Sequence, residues 1–333
     1  MTLSATMTAS PTTLVAATPV VSVVMPTFNR LEYLRPAVES VLAQTFTRWE
    51  LIIADDGSGA DTRTYLQSLD DPRVRVIWLE HTGRPSAVTN VALRAARGYY
   101  VAFLDSDDLW LPKKLETQIA ALQLDRQRGW SYTSFAIVDE SGQRVTSART
   151  RAWPTPSGWI LEKLLAEDTV IAQPSVVVAR VLLEQLGLLD ESLLMCYDDE
   201  LWFRLAARSE IEGIDEVLTL VRRHGQHSGS DVIAWRDRRR VFEKMLRNGA
   251  AGDLGHRLHE LRARMAAGLA KSEAMSGKRL SALGTILVSA RYSWQYPHWW
   301  RGALAAMARA FAPAGLRRVI GRYRHRRRNT VSA

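Results

Sequence analysis

Short apolar runs alternate with longer amphipathic stretches over the first hundred residues. Val20-Val21-Ser22-Val23-Val24-Met25 is a β-branched run closed by Pro26, residues 49–54 form a second run and residues 73–78 a third. Runs of this length between turn residues predict buried strands. Between them Leu34, Val38, Val41 and Leu42 recur at helical spacing, and Gly83-Arg84-Pro85-Ser86 opens a helix reaching to about Arg97. Residues 99–104 follow Gly98 as a fourth strand, too short for a helix and apolar throughout, which places it at the centre of the sheet. Strands alternating with helices predict an α/β fold with a mainly parallel, doubly wound sheet.

The pattern continues less regularly. Leu109-Trp110-Leu111-Pro112 is expected to begin a helix running through Leu115, Ile119 and Leu122, and residues 130–137 alternate as a strand. A turn at 139–142, a polar loop over 143–158 and another strand at 173–178 follow. Leu201, Trp202 and Leu205 mark the inner face of a helix whose first turn is acidic, and residues 217–221 read as a late strand. From about 235 onward helix formers and arginine dominate.

Polar and acidic clusters stand at the C-terminal ends of three strands, after 26, 54 and 104, where open α/β sheets bind ligands. In Asp105-Ser106-Asp107-Asp108 the first and third side chains face the same way if the extended conformation persists. Two carboxylates on one spot repel unless a cation or proton lies between them, and a hard divalent ion bridging to phosphate would relieve that repulsion. Capping of the next helix by Asp107 or Asp108 is the alternative on these residues alone. A Gly-x-Gly-x-x-Gly after the first strand is missing, as is a Gly-Lys-Ser/Thr loop, which argues against a dinucleotide cofactor and a phosphate-loop ATPase.

Composition narrows the class. The 333 residues hold a single cysteine, Cys196, which excludes a disulfide framework and a Cys-rich zinc site and suits a reducing cytoplasm. No apolar run reaches membrane-spanning length, and the Thr/Ala/Ser/Pro-rich residues 1–18 are expected to be a disordered leader. The net charge of +9 is uneven: residues 246–333 carry 17 Lys and Arg against three acids, a net of +14, leaving −5 for the rest. An anionic partner for the basic end is therefore expected. Five large aromatics around Pro297, arginines, and Trp300, Leu304, Met307, Ala308 and Phe311 at helical spacing suit a helix lying on anionic lipid or one packed on the α/β domain. No nucleic-acid motif accompanies the charge.

Val-Ser-Val-Val-Met-Pro-Thr-Phe-Asn-Arg from Val21, Asp-Asp-Gly-Ser from Asp55, Asp-Ser-Asp-Asp-Leu-Trp from Asp105 and Tyr-Asp-Asp-Glu-Leu-Trp-Phe-Arg-Leu from Tyr197 occur in this order. Together they resemble the family-two, inverting, metal-dependent nucleotide-sugar glycosyltransferases of the GT-A fold, of the bacterial cell-surface polysaccharide type. The resemblance covers about residues 20–230. It implies a GT-A domain over 19–232, with a nucleotide half (19–110) and an acceptor half (111–232), ahead of a helical, basic, membrane-associating stretch over 233–333. Pro26, Thr27, Phe28 and Arg30 would line the nucleoside pocket, Asp55 and Asp56 would contact the base, and Ser106 would touch the donor. Asp105 would lie near ribose and metal, Asp107 would be the main ligand of Mn2+ or Mg2+, and His224 would ligate the metal or hold a phosphate.

Two positions depart from the family pattern. Thr89 stands where the family usually has Arg, and Arg84 is expected to supply the missing phosphate charge, a helix-surface arginine being the alternative. Alignment on Leu201-Trp202 makes Asp198 the general base, with Asp199 the fallback and Tyr197 in place of the usual Glu. The implied reaction moves a sugar from a nucleoside-diphosphate donor, uridine being the commonest base, to a saccharide or lipid-linked saccharide. The implied setting is cytoplasmic and peripheral, on the inner face of the cell membrane. The two departures leave open a sugar-nucleotide-binding protein that has lost catalysis.

Overall fold

Val21–Thr27 (β1), Trp49–Asp55 (β2) and Val74–Trp78 (β3) lie side by side and parallel, and Tyr100–Phe103 (β4) joins the opposite edge of β1. The computed structural model describes residues 18–125, 127–145, 153–225, 231–249 and 252–311; of the expected leader it describes Thr18 alone, and the arginine-rich stretch 322–328 lies outside the described residues. The short β5 (Leu109–Trp110), Arg128–Val138 (β6), Val176–Ala179 (β7) and Glu210–Arg222 (β8) complete one sheet of order β3-β2-β1-β4-β7-β6-β8-β5. β7 runs antiparallel to β4 and β6, β8 parallel to β6, and β5 antiparallel to β8. The sheet is thus mixed: parallel through β3-β2-β1-β4, and of both senses beyond.

Each face is covered. Val21, Val23 and Met25 of β1 pack with Leu34, Val38 and Val41 of α1 (Leu31–Leu42) and with Leu115 and Ile119 of the later helix Lys114–Leu124. Val24, Val101 and Phe103 face the other way, with Val88 and Ala92 of the helix Pro85–Ala95 and with Leu201, Trp202 and Leu205 of the helix Tyr197–Ala206. In chain order the helices are α1, α2 (Ala60–Gln67), α3 (Pro85–Ala95), α4 (Lys114–Leu124), α5 (Leu161–Leu165), α6 (Arg180–Leu186) and α7 (Tyr197–Ala206). Four more follow: α8 (Asp231–Arg247), α9 (Gly255–Met275), α10 (Arg279–Ser293) and α11 (Pro297–Phe311).

Two expectations are corrected. Leu109 and Trp110 do not open a helix: they pair with Leu220 and Thr219 of β8, and the buried Trp110 ring donates Nε1–H to the Pro174 carbonyl at 2.7 Å. The helix begins only past Pro112, at Lys114. The late strand spans thirteen residues rather than five, because its acid-rich start pairs along β6.

The C-terminal helices are not a separate tail. Val241, Phe242 and Met245 of α8 and Leu258, Leu261 and Met265 of α9 share a core with Leu165, Leu193 and Phe203. α9, α10 and α11 then pack on one another through small residues, Ala263, Ala267, Ala282, Ala303, Ala306 and Ala310, around the buried Trp299. Among the described residues no helix is long and apolar enough to cross a membrane.

Candidate functional site

The sheet changes winding direction at β1: β2 lies on one side and β4 on the other. A cavity of about 410 Å³ opens beyond the C-terminal ends of these two strands, where a doubly wound sheet leaves a crevice. Pro26, Thr27, Phe28, Asp56, His81 and Gly83 line one end, and Arg30, Asp105, Ser106, Asp107 and Tyr197 the other.

At the first end two strand-to-helix turns are tied together. Asn29, in the left-handed region at φ 50°, accepts Gly59 N–H at its Oδ1 (2.7 Å) and donates its own N–H to Ser58 Oγ (2.9 Å). Asp56 folds the following segment over the cavity, taking N–H groups from Thr82 (2.8 Å) and Gly83 (3.0 Å). His81 stacks on Phe28 with ring centroids 4.0 Å apart. Gly57 is required between them: its φ is 79°, and a Cβ there would lie 2.8 Å from His81 N. Gly57→Ala is expected to lower stability by about 1–3 kcal/mol, read as the midpoint of urea unfolding. Asp55 lies under this turn, accepting Ser58 N–H at 3.1 Å; its Oδ1 and the Thr27 hydroxyl are buried with no hydrogen-bond partner.

At the second end carboxylates crowd together. Asp107 Oδ2 takes the Arg30 guanidinium and His224 Nε2, the latter at 2.8 Å. His224 is fixed by stacking on Tyr33, 4.7 Å between centroids. Asp105 Oδ1 accepts Gln173 Nε2–H at 3.0 Å. Burial, and then the charges of Asp107 and Asp198, push the Asp105 carboxyl up to about 8. Asp108 caps no helix: its Oδ1 receives the Arg222 N–H at 2.7 Å, while Arg222 Nε–H bonds the Asp107 carbonyl at 2.9 Å. Burial and its two acidic neighbours hold Asp108 well above the usual carboxylate range.

This donor set fits a hard divalent ion. The charge of Asp107 opposes the ionisation of Asp105, and His224 adds a nitrogen beside Asp107. Among the described residues no three His, Cys, Asp or Glu side chains are arranged to hold an ion by themselves. Mg2+-type sites take one or two carboxylates and fill the remainder with water and substrate phosphate.

The acidic helix start lies alongside. Tyr197 lines the cavity, and Asp198 is close enough that its charge raises Asp105. Burial and then the charge of Asp199 push Asp198 up to about 7. Asp199 itself turns away, paired with Arg238 of α8 at the edge of a second cavity of about 250 Å³ between α5, α7 and α8. Trp153, within the polar loop 143–158 expected over the site, lines that second cavity, and residues 146–152 of the loop lie outside the described residues.

Arg84 is not brought into the group: its Nη1–H bonds the Glu191 carbonyl at 3.0 Å on the exposed side of α3. Thr89 is buried and closes its hydroxyl onto the Pro85 carbonyl at 2.8 Å. Arg30 is therefore the arginine lining the cavity.

Sequence reasoning missed the grip of α8 on this region. Asp237, 2% exposed, accepts the N–H groups of Leu194 (2.9 Å) and Met195 (3.0 Å). That pins the turn in which Cys196 adopts φ 58°, just before α7. Lys244 bridges Asp190 (2.9 Å) and the buried Glu200 (2.7 Å). Nothing in a run such as Trp235-Arg236-Asp237-Arg238-Arg239-Arg240 separates these from solvated helix charges. Asp237→Ala strands two amide donors and is expected to cost about 2–4 kcal/mol, measured by thermal unfolding. Arg222 had a signal, its place two residues before His224, and Gln173 had none.

Fold and crevice define a GT-A-like glycosyltransferase architecture: a sheet switching direction at a nucleotide-sized cavity rimmed by an Asp-x-Asp pair. Residues 22–177 match the model of glycosyl transferase family 2. The chain is 40% identical over 126 residues to the putative teichuronic acid biosynthesis glycosyltransferase TuaG of Bacillus subtilis, covering 37% of this chain and 50% of that one. It is 35% identical over 121 residues to the UDP-Glc:alpha-D-GlcNAc-diphosphoundecaprenol beta-1,3-glucosyltransferase WfgD of Escherichia coli, covering 36% and 47%. The chain thus spans no more than half the length of these curated relatives. The crystal structure of S. aureus TarS residues 1–349 in complex with UDP superposes with a TM-score of 0.61 at 18% identity, over 87% of this chain and 88% of that one.

Proposed function

We propose that this protein is an inverting glycosyltransferase. It moves a sugar from a nucleoside-diphosphate donor, a UDP-sugar in the first instance, to a saccharide or lipid-linked saccharide of a bacterial surface polysaccharide. The observation carrying this reading is the juxtaposition of Asp198, tuned to about 7, with the Asp105–Asp107 pair at the cavity. Similarity to a UDP-Glc transferase with a diphosphoundecaprenol acceptor supports the donor and the lipid-linked acceptor.

In this reading the buried Asp55 Oδ1 and Thr27 hydroxyl accept from the edge of the base, and Phe28 and His81 wall its pocket. Asp105, Asp107 and His224 would hold Mn2+ or Mg2+, which when bound supplies Lewis-acid neutralisation of the departing diphosphate. Arg30 adds a fixed positive charge beside it. The Asp198 carboxylate takes the proton of the acceptor hydroxyl, whose oxygen forms a bond to the anomeric carbon. The bond from that carbon to the phosphate oxygen breaks on the opposite face, and the nucleoside diphosphate leaves with the electron pair. Asp199, held by Arg238, sets the charge beside the base without touching the reactants. The setting that fits is the cytoplasmic face of the membrane.

The test is a thermal-shift screen of UDP, GDP and their sugars with and without Mn2+, followed by donor turnover. Stabilisation by one nucleotide sugar, dependent on the ion, supports the reading; nucleotide binding without turnover in any acceptor mixture would leave a binding protein. The pH profile follows from Asp198. The base must be a carboxylate, so kcat/KM is expected to fall about tenfold per pH unit below about 7 and to level off above it. The charged neighbours are Asp199, Arg238 and Asp105. Asp199→Asn removes a raising charge and moves the acid limb to lower pH; an unmoved limb would show that Asp198 is not the titrating group.

A further inference from the structure

α10 and α11 are built inside out for helices facing water. Their buried sides carry mostly small residues, Ala282, Ser289 and Ser293 on α10 and Ala303, Ala306 and Ala310 on α11, beside the larger Ile286 and Trp299. Other large apolar side chains of α10 point outward: Leu280 is 85% exposed, Leu287 71% and Val288 54%. At the corner between the helices Trp294 is 65% exposed and Trp300 47%, and Trp300 Nε1–H bonds the Trp294 backbone carbonyl at 2.7 Å, which fixes the Trp300 indole at the end of α10. The helical line of Trp300 and Leu304, which sequence alone could place against the catalytic domain, is on the outside.

The charge around this surface has one sign. Lys278, Arg279, Arg291 and Arg301 are exposed beside it, and no acidic residue follows Glu273, which is itself buried. Several exposed large apolar side chains at seven-residue spacing on one helix face, Leu280, Leu287 and Trp294, mark a contact with something else. Two indoles at a corner, leucines and a rim of arginine match an anionic lipid interface, where rings sit at headgroup depth and cations meet phosphate.

We propose that the outward face of α10, with the Trp294–Trp300 corner, docks this protein on an anionic bilayer. This deepens the membrane part of the functional reading and assigns the contact to α10 and the start of α11.

The experiment is co-sedimentation of the full chain with vesicles of phosphatidylcholine alone or mixed with phosphatidylglycerol. Wild type is expected to bind the mixed vesicles and not the neutral ones. The double variant Leu287→Glu/Trp294→Glu, at exposed positions, is expected to partition about tenfold or more weakly while keeping the wild-type unfolding temperature and the nucleotide-induced thermal shift. Vesicles with brominated acyl chains should quench wild-type tryptophan fluorescence more than that of Trp294→Phe/Trp300→Phe. Equal partition of wild type and the Glu variant overturns the proposal, as does binding lost only when salt is raised. A wild-type dimer in light scattering that the Glu variant converts to monomer would assign the face to a second copy and also overturn it. Each of these results leaves the transfer reading untouched, since that reading stands on the nucleotide shift and turnover in solution.

Discussion

Asp198→Asn lowers sugar transfer by about a thousandfold or more and leaves the donor-induced thermal shift within error of wild type. The amide keeps the shape of the side chain and the start of α7 but cannot take a proton. The acceptor hydroxyl then attacks as a neutral alcohol. Asp198 does not line the donor cavity, so donor affinity is expected to persist. Removing its charge also relieves Asp105, whose carboxyl Asp198 helps to push up to about 8, so donor binding with metal is expected to hold or tighten slightly. The measurement is initial rate of nucleoside diphosphate release with acceptor present, beside the thermal shift of the same preparation. Wild-type turnover in Asp198→Asn would remove Asp198 from the mechanism, and Asp199→Asn would then be the variant to examine.

Asp107→Ala separates the other half of the site. Both the Arg30 guanidinium and His224 Nε2 lose their shared partner, Oδ2 of Asp107. The donor set shrinks to Asp105 and His224. Metal-dependent stabilisation by nucleotide sugar is expected to disappear, and turnover to fall about a hundredfold or more. The unliganded chain should remain folded, because the same change relieves the repulsion that raises Asp105 and Asp108. Retention of a Mn2+-dependent shift in this variant would move the ion site away from the Asp-x-Asp pair.

What could be read from the chain depended on range. The apolar runs at 20–25, 49–54, 73–78 and 99–104 became β1 to β4 because a buried parallel strand is specified by its own side chains. The cavity was legible for the same reason: its residues follow directly from those strand ends. His224 was singled out through the resemblance of its Arg-x-His to a family element, and its ring lies 2.8 Å from Asp107 Oδ2. β8 was half invisible. Its start, Glu210-Ile211-Glu212-Gly213, is acidic and partly exposed, and its pairing with β6 is a long-range fact. The direction of Arg84 was not legible, because it depends on what lies opposite, here the Glu191 carbonyl more than a hundred residues away in sequence. Asp237, Arg238 and Lys244 could not have been picked out, since a buried carboxylate and a solvated one look alike on a charged helix.

The hold of α8 on the turn before α7 bears on how this protein can be inherited and recombined. The family 2 match ends at residue 177, yet the turn before α7 is held by a helix beginning at Asp231. A C-terminal module exchanged between paralogues at residue 232 would bring a foreign residue against the Leu194 and Met195 amides and a foreign partner for Asp199. Unless the incoming module carries an Asp at position 237 and an Arg at position 238, such a chimera is expected to lose both the tie to the turn and the partner of Asp199.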